Sequence, residues 1–136
     1  MLVDDHAVVR TGFRLGTLTT TSGTVQTLSG LTLTPYSQLF IVVNGVSFTI
    51  TANLTFNGKA VSNSLASSLD GFYGIIWVDL VSGMFSGNIA NSSTAAGGAV
   101  SAAAFAWNGT YTTATTSISF AGGTFDAGSI AVYGRK

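Results

Sequence analysis

An unbroken alternation of apolar and polar residues runs from Val46 to Phe56. Its apolar members are Val46, Phe48, Ile50, Ala52, Leu54 and Phe56. Successive side chains of a β-strand point to opposite faces of its sheet. The pattern therefore predicts a strand that directs these apolar side chains, Ile50 among them, into a core, and its Ser, Thr and Asn side chains toward solvent or a polar partner.

Asn-Gly pairs interrupt the apolar runs at three places: Asn44-Gly45, Asn57-Gly58 and Asn108-Gly109. Both central residues of a type I′ turn need a positive φ, which Asn and Gly tolerate best. Each pair is therefore a hairpin signal. We expect one hairpin between Gln38–Val43 and Val46–Phe56, and another between Val100–Trp107 and Thr110–Phe120.

Further strands are expected at Phe13–Thr20, Thr24–Leu33, Phe72–Leu80, Met84–Ile89 and Ser129–Tyr133. The segment from Ala95 to Ala106 is rich in Ala, which suits a helix, but Gly97, Gly98 and the alternation that follows favour a strand. Many short strands with regular turn signals and no helical period are typical of an all-β sandwich or barrel. We predict an antiparallel β-sandwich formed by residues 13–136, preceded by a charged arm of residues 1–12.

Charge is scarce in this chain. Charged residues make up 7% of it and hydrophobic residues 46%, whereas about a quarter of an ordinary soluble domain is charged. Many of the few ionisable groups crowd the N-terminus: Asp4, Asp5, His6, Arg10 and Arg14. With so little charge to repel a second copy, the chain is expected to form a homo-oligomer or to join a larger assembly. The alternative is a monomer with a hydroxyl-rich surface.

Catalytic residues are hard to assemble from this sequence. The one histidine, His6, lies in the arm, so a Ser-His-Asp arrangement is not expected. A glycosidase needs two carboxylates beside one bond, and the body of the chain offers only Asp70, Asp79 and Asp126. Asp79 interrupts an apolar run, so it is either a buried acceptor or a residue that points outward to a partner. We expect no catalytic site and no enzyme.

Other classes of site are disfavoured as well. Without cysteine and with a single histidine, a zinc site is excluded, whereas calcium bound by Asp and carbonyl oxygens is left open. We expect no cofactor and no metal. Nucleic acid needs a basic face, and Arg10, Arg14, Arg135 and Lys136 gather only if the termini meet. The most apolar stretch, Phe72–Leu80, is too short to cross a membrane, and no export signal opens the chain, which indicates assembly in the cytoplasm.

Two long connections, Lys59–Gly71 and Asn91–Gly98, are rich in Ser, Asn, Ala and Gly. Loops on a rigid β-scaffold often carry binding surfaces, although a plain solvated linker has the same composition. A glycan-binding protein would expose aromatic faces, and the candidates are Tyr36, Tyr73, Trp77, Trp107 and Tyr111. All five lie in or beside apolar strands, so we expect them to pack in the core.

Three segments together resemble a family of small β-sandwich domains in tailed-bacteriophage particle proteins. They are GFRLGTLTTTSGT at 12–24, NGV after the strand that ends at Val43, and GGTFDAGSIAVYG at 122–134. The family's closing motif is matched by Phe125, Ala127, Gly128, Ser129, Tyr133 and Gly134. The resemblance implies a jelly-roll-like sandwich, commonly trimeric, on a tail fibre or on the particle surface.

The expected function follows from this resemblance and from the scarcity of charge. We expect a virion structural protein, a capsid decoration or cement protein that stabilises the head as a homotrimer. The arm residues Asp4, Asp5, Arg10 and Arg14 would form ion pairs with the major capsid protein or another virion protein. The alternative is a tail-fibre tip or receptor-binding module that binds a host glycan. Neither function involves nucleic acid or a membrane.

Overall fold

The computed structural model describes residues 12–63, 71–92, 101–109 and 111–136. Most of the predicted arm, including Asp4, Asp5 and Arg10, and much of the two predicted loops lie outside the described residues. The described strands are β1 (Phe13–Thr19), β2 (Val25–Leu28), β3 (Gln38–Phe48), β4 (Thr55–Phe56), β5 (Lys59–Ala60), β6 (Gly71–Asp79), β7 (Met84–Ser92), β8 (Ser101–Asn108), β9 (Ile118–Ala121) and β10 (Phe125–Arg135).

These strands form two antiparallel sheets. The six-stranded sheet has the order β1-β10-β3-β6-β7-β8, and the four-stranded sheet has the order β2-β9-β4-β5. The chain changes sheet after β1, β2, β3, β5, β8 and β9. The predicted all-β, antiparallel fold is confirmed, no helix occurs among the described residues, and the arrangement is compatible with a β-sandwich.

The core is rich in phenylalanine. Fully buried side chains come from both sheets, with Phe48, Phe72, Phe85 and Phe125 in the larger and Phe56 and Phe120 in the smaller. The Phe56 ring lies 5.0 Å from the Phe85 ring and 4.9 Å from the Phe120 ring, measured between centroids. Burying a large apolar side chain contributes about 1.5–3 kcal/mol, so this cluster is a main source of stability.

The expected hairpin between Gln38–Val43 and Val46–Phe56 is wrong, because its Asn44-Gly45 pair forms a bulge within one strand and not a turn between two. β3 continues from Gln38 through Asn44 and Gly45 to Phe48, and its pairing with β6 shifts register between Asn44 and Val46. Gly45 has a φ of 67°, so the Asn-Gly pair supplies the positive φ of a bulge instead of a turn. Since β10 and β6 pair with β3 on either side, the chain continues along the same strand through the bulge.

The alternation from Val46 to Phe56 does not form one strand. Only its first three residues, Val46 to Phe48, lie in β3, and the chain then crosses to the four-stranded sheet, where Thr55 begins β4. Ile50 lies in this crossing and is 60% exposed, so the prediction that it enters the core is wrong. The Asn57-Gly58 turn, in contrast, does join two strands: β4 and β5 pair across it, with φ values of 50° and 83°.

The other expected hairpin, between Val100–Trp107 and Thr110–Phe120, is also wrong. β8 is a strand, as predicted, but it pairs with β7, and β9 belongs to the other sheet. The Gly109 amide donates a hydrogen bond to the Gly83 carbonyl, which holds the chain against the β6–β7 turn at this point. From there the chain leaves the six-stranded sheet instead of folding back along β8.

Candidate interaction surfaces

The outward face of the six-stranded sheet carries a row of three aromatic rings. Tyr133, Phe40 and Trp77 occupy opposite positions on β10, β3 and β6. The Phe40 ring lies 4.9 Å from the Tyr133 ring and 5.2 Å from the Trp77 ring, measured between centroids. The neighbouring residues along each strand point into the core, as the period of a strand requires. We call these three residues the aromatic row.

Arg14 lies at one end of the aromatic row. Its guanidinium carbon is 5.8 Å from the centroid of the Tyr133 ring, and its Nη2 atom donates a long hydrogen bond of 3.4 Å to the Tyr133 hydroxyl. An exposed cation–π contact is worth about 0.5–1 kcal/mol. Of the four predicted partner-binding residues, Arg14 is the one that the structure describes, and it lies on the β1 edge of the sheet.

A cleft opens at the other end of the aromatic row. It has a volume of about 270 Å³, and its lining residues are Gln38, Trp77, Val78, Asp79, Ser82, Met84 and Ser86. Gln38 and Asp79 are opposite each other on β3 and β6, and Trp77 and Ser86 are opposite each other on β6 and β7. We call it the Trp77 cleft. Its apolar surface comes from Trp77 and Met84, and its polar groups are an amide, a carboxylate and hydroxyls.

Asp79 is fixed at the end of β6 by the turn that follows. Its Oδ1 atom accepts a hydrogen bond of 2.9 Å from the Val81 amide, and its Oδ2 atom accepts one of 3.0 Å from the Ser82 hydroxyl. The Val81 hydrogen bond, followed by that of the Ser82 hydroxyl, lowers the pKa of Asp79 below its usual value. Of the two roles considered for Asp79, the outward-facing one agrees with its exposed position.

The two described aspartates are far apart. Asp79 lies opposite Gln38, the first residue of β3. Asp126 accepts a hydrogen bond from the Ser47 hydroxyl, near the end of β3. At about 3.3 Å per residue, these ends of β3 are about 30 Å apart. Glycosidase carboxylates lie roughly 5–9.5 Å apart, so Asp79 and Asp126 do not flank one bond. Asp70 lies outside the described residues.

Within the described segments, no three His, Cys, Asp or Glu side chains come together as a group that could hold a metal ion. Nor do these segments contain a helix with the length and apolar character that a membrane crossing requires.

The edge formed by β8 and β5 is closed by a tryptophan. Trp107 is 37% exposed, its Nε1 atom donates a hydrogen bond of 2.9 Å to the Ala60 carbonyl, and the Lys59 ammonium lies 5.3 Å from its ring centroid. Trp107 thus joins the last strand of each sheet. A second cavity of about 280 Å³ adjoins this edge, between Asn57, Lys59 and Asn108.

The core prediction for the five candidate aromatics is wrong for three of them. Trp77 is 40% exposed, and Tyr73 and Trp107 are exposed as well. Tyr111 is buried, as expected, and Tyr36 packs partly buried against Gly134. The sequence carries a signal for the correct orientation, because Tyr73, Trp77 and Asp79 are an even number of residues apart and therefore lie on one face of their strand. The charge of Asp79 indicates that this face points outward.

At the opposite edge, formed by β1 and β2, no further strand is paired among the described residues. β1 ends the larger sheet and β2 ends the smaller one, and the Leu28 side chain of β2 packs against Gly16 of β1. Phe13 and Val25 are each 56% exposed on these strands. Arg14 is the single charged residue in the two strands. We call this surface the β1–β2 edge.

No protein-family model matches the chain, and neither a search of the curated proteins nor a search of the solved structures finds a match.

Proposed function

We propose that the protein is a structural component of a bacteriophage particle, a capsid decoration or cement protein that acts as a homotrimer. The observation that carries this proposal is the β1–β2 edge, where Phe13 and Val25 are exposed and Arg14 is the only charge. An open edge presents unpaired backbone N–H and C=O groups, and natural proteins usually protect such edges with charge or cover. The edge has little charge, and its protection comes in part from the bulge of β1 between Arg14 and Gly16 and from the shortness of β2, which has four residues. The exposed Phe13 and Val25 side chains are the surface that a second copy of the chain covers in the proposed trimer.

The proposed fold is a jelly roll. The antiparallel pairs of strands are nested: β1 with β10, β2 with β9, β3 with β6 and β4 with β5. A jelly roll has eight strands in two sheets, and nesting of this kind is what results when one long hairpin is rolled up. β7 and β8 then add a hairpin beyond β6. Viral capsid domains and lectins both use jelly rolls, which agrees with a role on a particle.

The position of the charged arm supports a contact with the particle. The arm leads directly into Phe13, the first residue of the β1–β2 edge. In the proposed assembly the edge of one copy packs against a different surface of the next, and such head-to-tail contacts close into a ring when the rotation permits. Asp4, Asp5 and Arg10 of the arm, together with Arg14, then contact the major capsid protein or another virion protein.

Charge placed on the β1–β2 edge tests this proposal. We expect Phe13→Asp and Val25→Asp to convert the trimer to a monomer and to weaken binding to particles that lack the protein by at least about tenfold, since a buried unpaired charge is costly. Val81→Asp is the matched control, because Val81 is 84% exposed in the turn after β6. Native mass spectrometry at micromolar concentration measures the first effect, and co-sedimentation with particles measures the second.

A monomeric wild-type protein under these conditions would overturn the proposed trimer. Edge variants that stay trimeric and still bind particles would show that the β1–β2 edge is not the contact surface.

A further inference from the structure

A second surface on the same face of the larger sheet has the features of a small-ligand site. We propose that the Trp77 cleft binds one sugar ring of an uncharged glycan. This binding is separate from the assembly role, because Trp77 lies on β6, three strands from β1 and so about 14 Å from the β1–β2 edge. Variants of the edge and variants of the cleft therefore test the two proposals separately.

The Trp77 indole is a rigid aromatic platform for a ligand. Trp77 is 40% exposed on a central strand, with β3 and β7 paired on either side of it. Its indole also packs against the Phe40 ring, whose plane is inclined by 31° to it. One face of a hexose ring carries mainly C–H groups, and an amphipathic ring such as indole provides a large contact area for such a face. Since the platform is held in place before binding, little conformational entropy is lost when the sugar binds.

A set of polar groups lies beside the platform. Each carboxylate oxygen of Asp79 already accepts one hydrogen bond from the following turn, and a carboxylate oxygen has a second lone pair. Asp79 is therefore fixed in orientation and still able to accept from a sugar hydroxyl. The Gln38 amide and the Ser86 hydroxyl, which also line the cleft, donate and accept hydrogen bonds. Such a set suits the hydroxyl groups of a ligand, because a hydroxyl group both donates and accepts hydrogen bonds.

Size and charge narrow the ligand class. At about 270 Å³, the cleft is slightly smaller than the roughly 300–1,000 Å³ of pockets for drug-sized ligands, which suits a single ring. The described lining residues include Asp79 but no Lys, Arg or His, so a phosphate or carboxylate ligand meets a like charge and no opposite charge. A quaternary ammonium ion also suits a tryptophan beside a carboxylate, but it would leave the amide and hydroxyls without partners, and this disfavours it.

Titration of the full-length protein with simple sugars tests the proposal. The probes are methyl β-glucoside, methyl β-galactoside, methyl α-mannoside and N-acetylglucosamine, with choline as the ammonium probe. The indole N–H resonance of Trp77, assigned by comparison with Trp77→Phe, reports binding. We expect at least one sugar to shift this resonance saturably, and choline to leave it unchanged.

Two variants and one control assign the binding to the cleft. Trp77→Ala removes the platform, and Asp79→Asn keeps an acceptor for the Val81 amide while removing the charge, so each is expected to weaken sugar binding by at least about tenfold. Saturation-transfer NMR measures binding to the variant that lacks the indole. Tyr73→Ala removes an exposed aromatic from the same face of β6, outside the cleft, and should leave affinity unchanged within about twofold. The proposal is overturned if none of the sugars binds, if both cleft variants bind as the wild type does, or if choline binds and the sugars do not.

Discussion

Tyr111 shows how a single buried hydroxyl affects stability. Its ring stacks on Phe56, with centroids 5.0 Å apart and planes 10° apart, yet within the described part of the chain its buried hydroxyl has no hydrogen-bond partner. Burial raises the pKa of this hydroxyl well above its usual value, so Tyr111 stays protonated at all ordinary pH values. Burying a polar group without a partner is unfavourable, whereas the ring itself stabilises the core.

Tyr111→Phe is therefore expected to raise the free energy of unfolding by about 1 kcal/mol, because it removes the buried hydroxyl and keeps the ring. Tyr111→Ala should instead lower it by about 3–5 kcal/mol, as removal of a buried aromatic ring does. Urea denaturation of both variants measures the difference. A Tyr111→Phe protein less stable than the wild type by 1 kcal/mol or more would mean that the hydroxyl is hydrogen bonded after all.

Two glycines lie next to each other on the paired strands β3 and β10, at a point where both strands are irregular. Gly45 occupies the bulge of β3, and Gly128 lies where the pairing of β10 with β3 shifts register. Gly128 has a φ of 97°, and a Cβ atom added to it would overlap the Gly45 carbonyl oxygen. The two strands can therefore approach closely here because Gly128 lacks a side chain. A Cβ atom added to Gly45 would instead meet the Tyr73 ring at ordinary contact distance.

Gly128→Ala is expected to lower the free energy of unfolding by at least about 3 kcal/mol, because backbone strain and steric overlap both contribute. Gly58→Ala is the matched control. Gly58 has a φ of 83°, but a Cβ atom added there meets nothing within 4 Å, so this variant should lose only the roughly 1–2 kcal/mol of left-handed strain. Thermal unfolding measures both, and similar losses in the two variants would refute the close approach.

Local patterns predicted individual strands better than their partners. The segments Phe13–Thr20 and Phe72–Leu80 nearly coincide with β1 and β6, because alternation is a property of the strand itself. The two Asn-Gly pairs at 44–45 and 57–58 are alike in sequence, yet one forms a bulge and the other a turn. The difference comes from β6 and β10, which pair with both sides of β3 and lie far along the chain, where no local rule applies.

The Trp77 cleft was equally difficult to foresee. The orientation of Trp77 follows from its parity with Asp79 on one strand, and this much could be predicted. The approach of Gln38 and Ser86 depends on the register of β3 and β7 against β6. A shift of one residue in either pairing would turn those side chains to the other face, and the sequence alone does not fix the register of strands so far apart.

Because charge is scarce in this chain, the proposed trimer contact and the proposed particle contact should respond differently to salt. Raising the salt concentration from about 0.1 to 1 M shortens the Debye length from about 10 to 3 Å. The proposed trimer contact is almost uncharged, so it should persist, whereas particle binding through Asp4, Asp5, Arg10 and Arg14 should weaken by at least about tenfold. Native mass and co-sedimentation at the two salt concentrations measure these effects. Dissociation of the trimer at high salt, or particle binding that is equally strong at both salt concentrations, would contradict these proposed contacts.

The position of β10 between β1 and β3 has a consequence for biosynthesis. Phe13 pairs with Gly134, so the larger sheet cannot close until β10, the last of the described strands, has been translated. At about 5–20 residues per second, β3 waits roughly 4–17 s for this partner, with apolar residues such as Leu39 and Ile41 not yet enclosed. Sheets dominated by such distant pairings also fold slowly, in milliseconds to seconds. A nascent chain that terminates before Phe125 leaves β1 without its neighbour, so premature termination yields a misfolded product and not a smaller version of the domain.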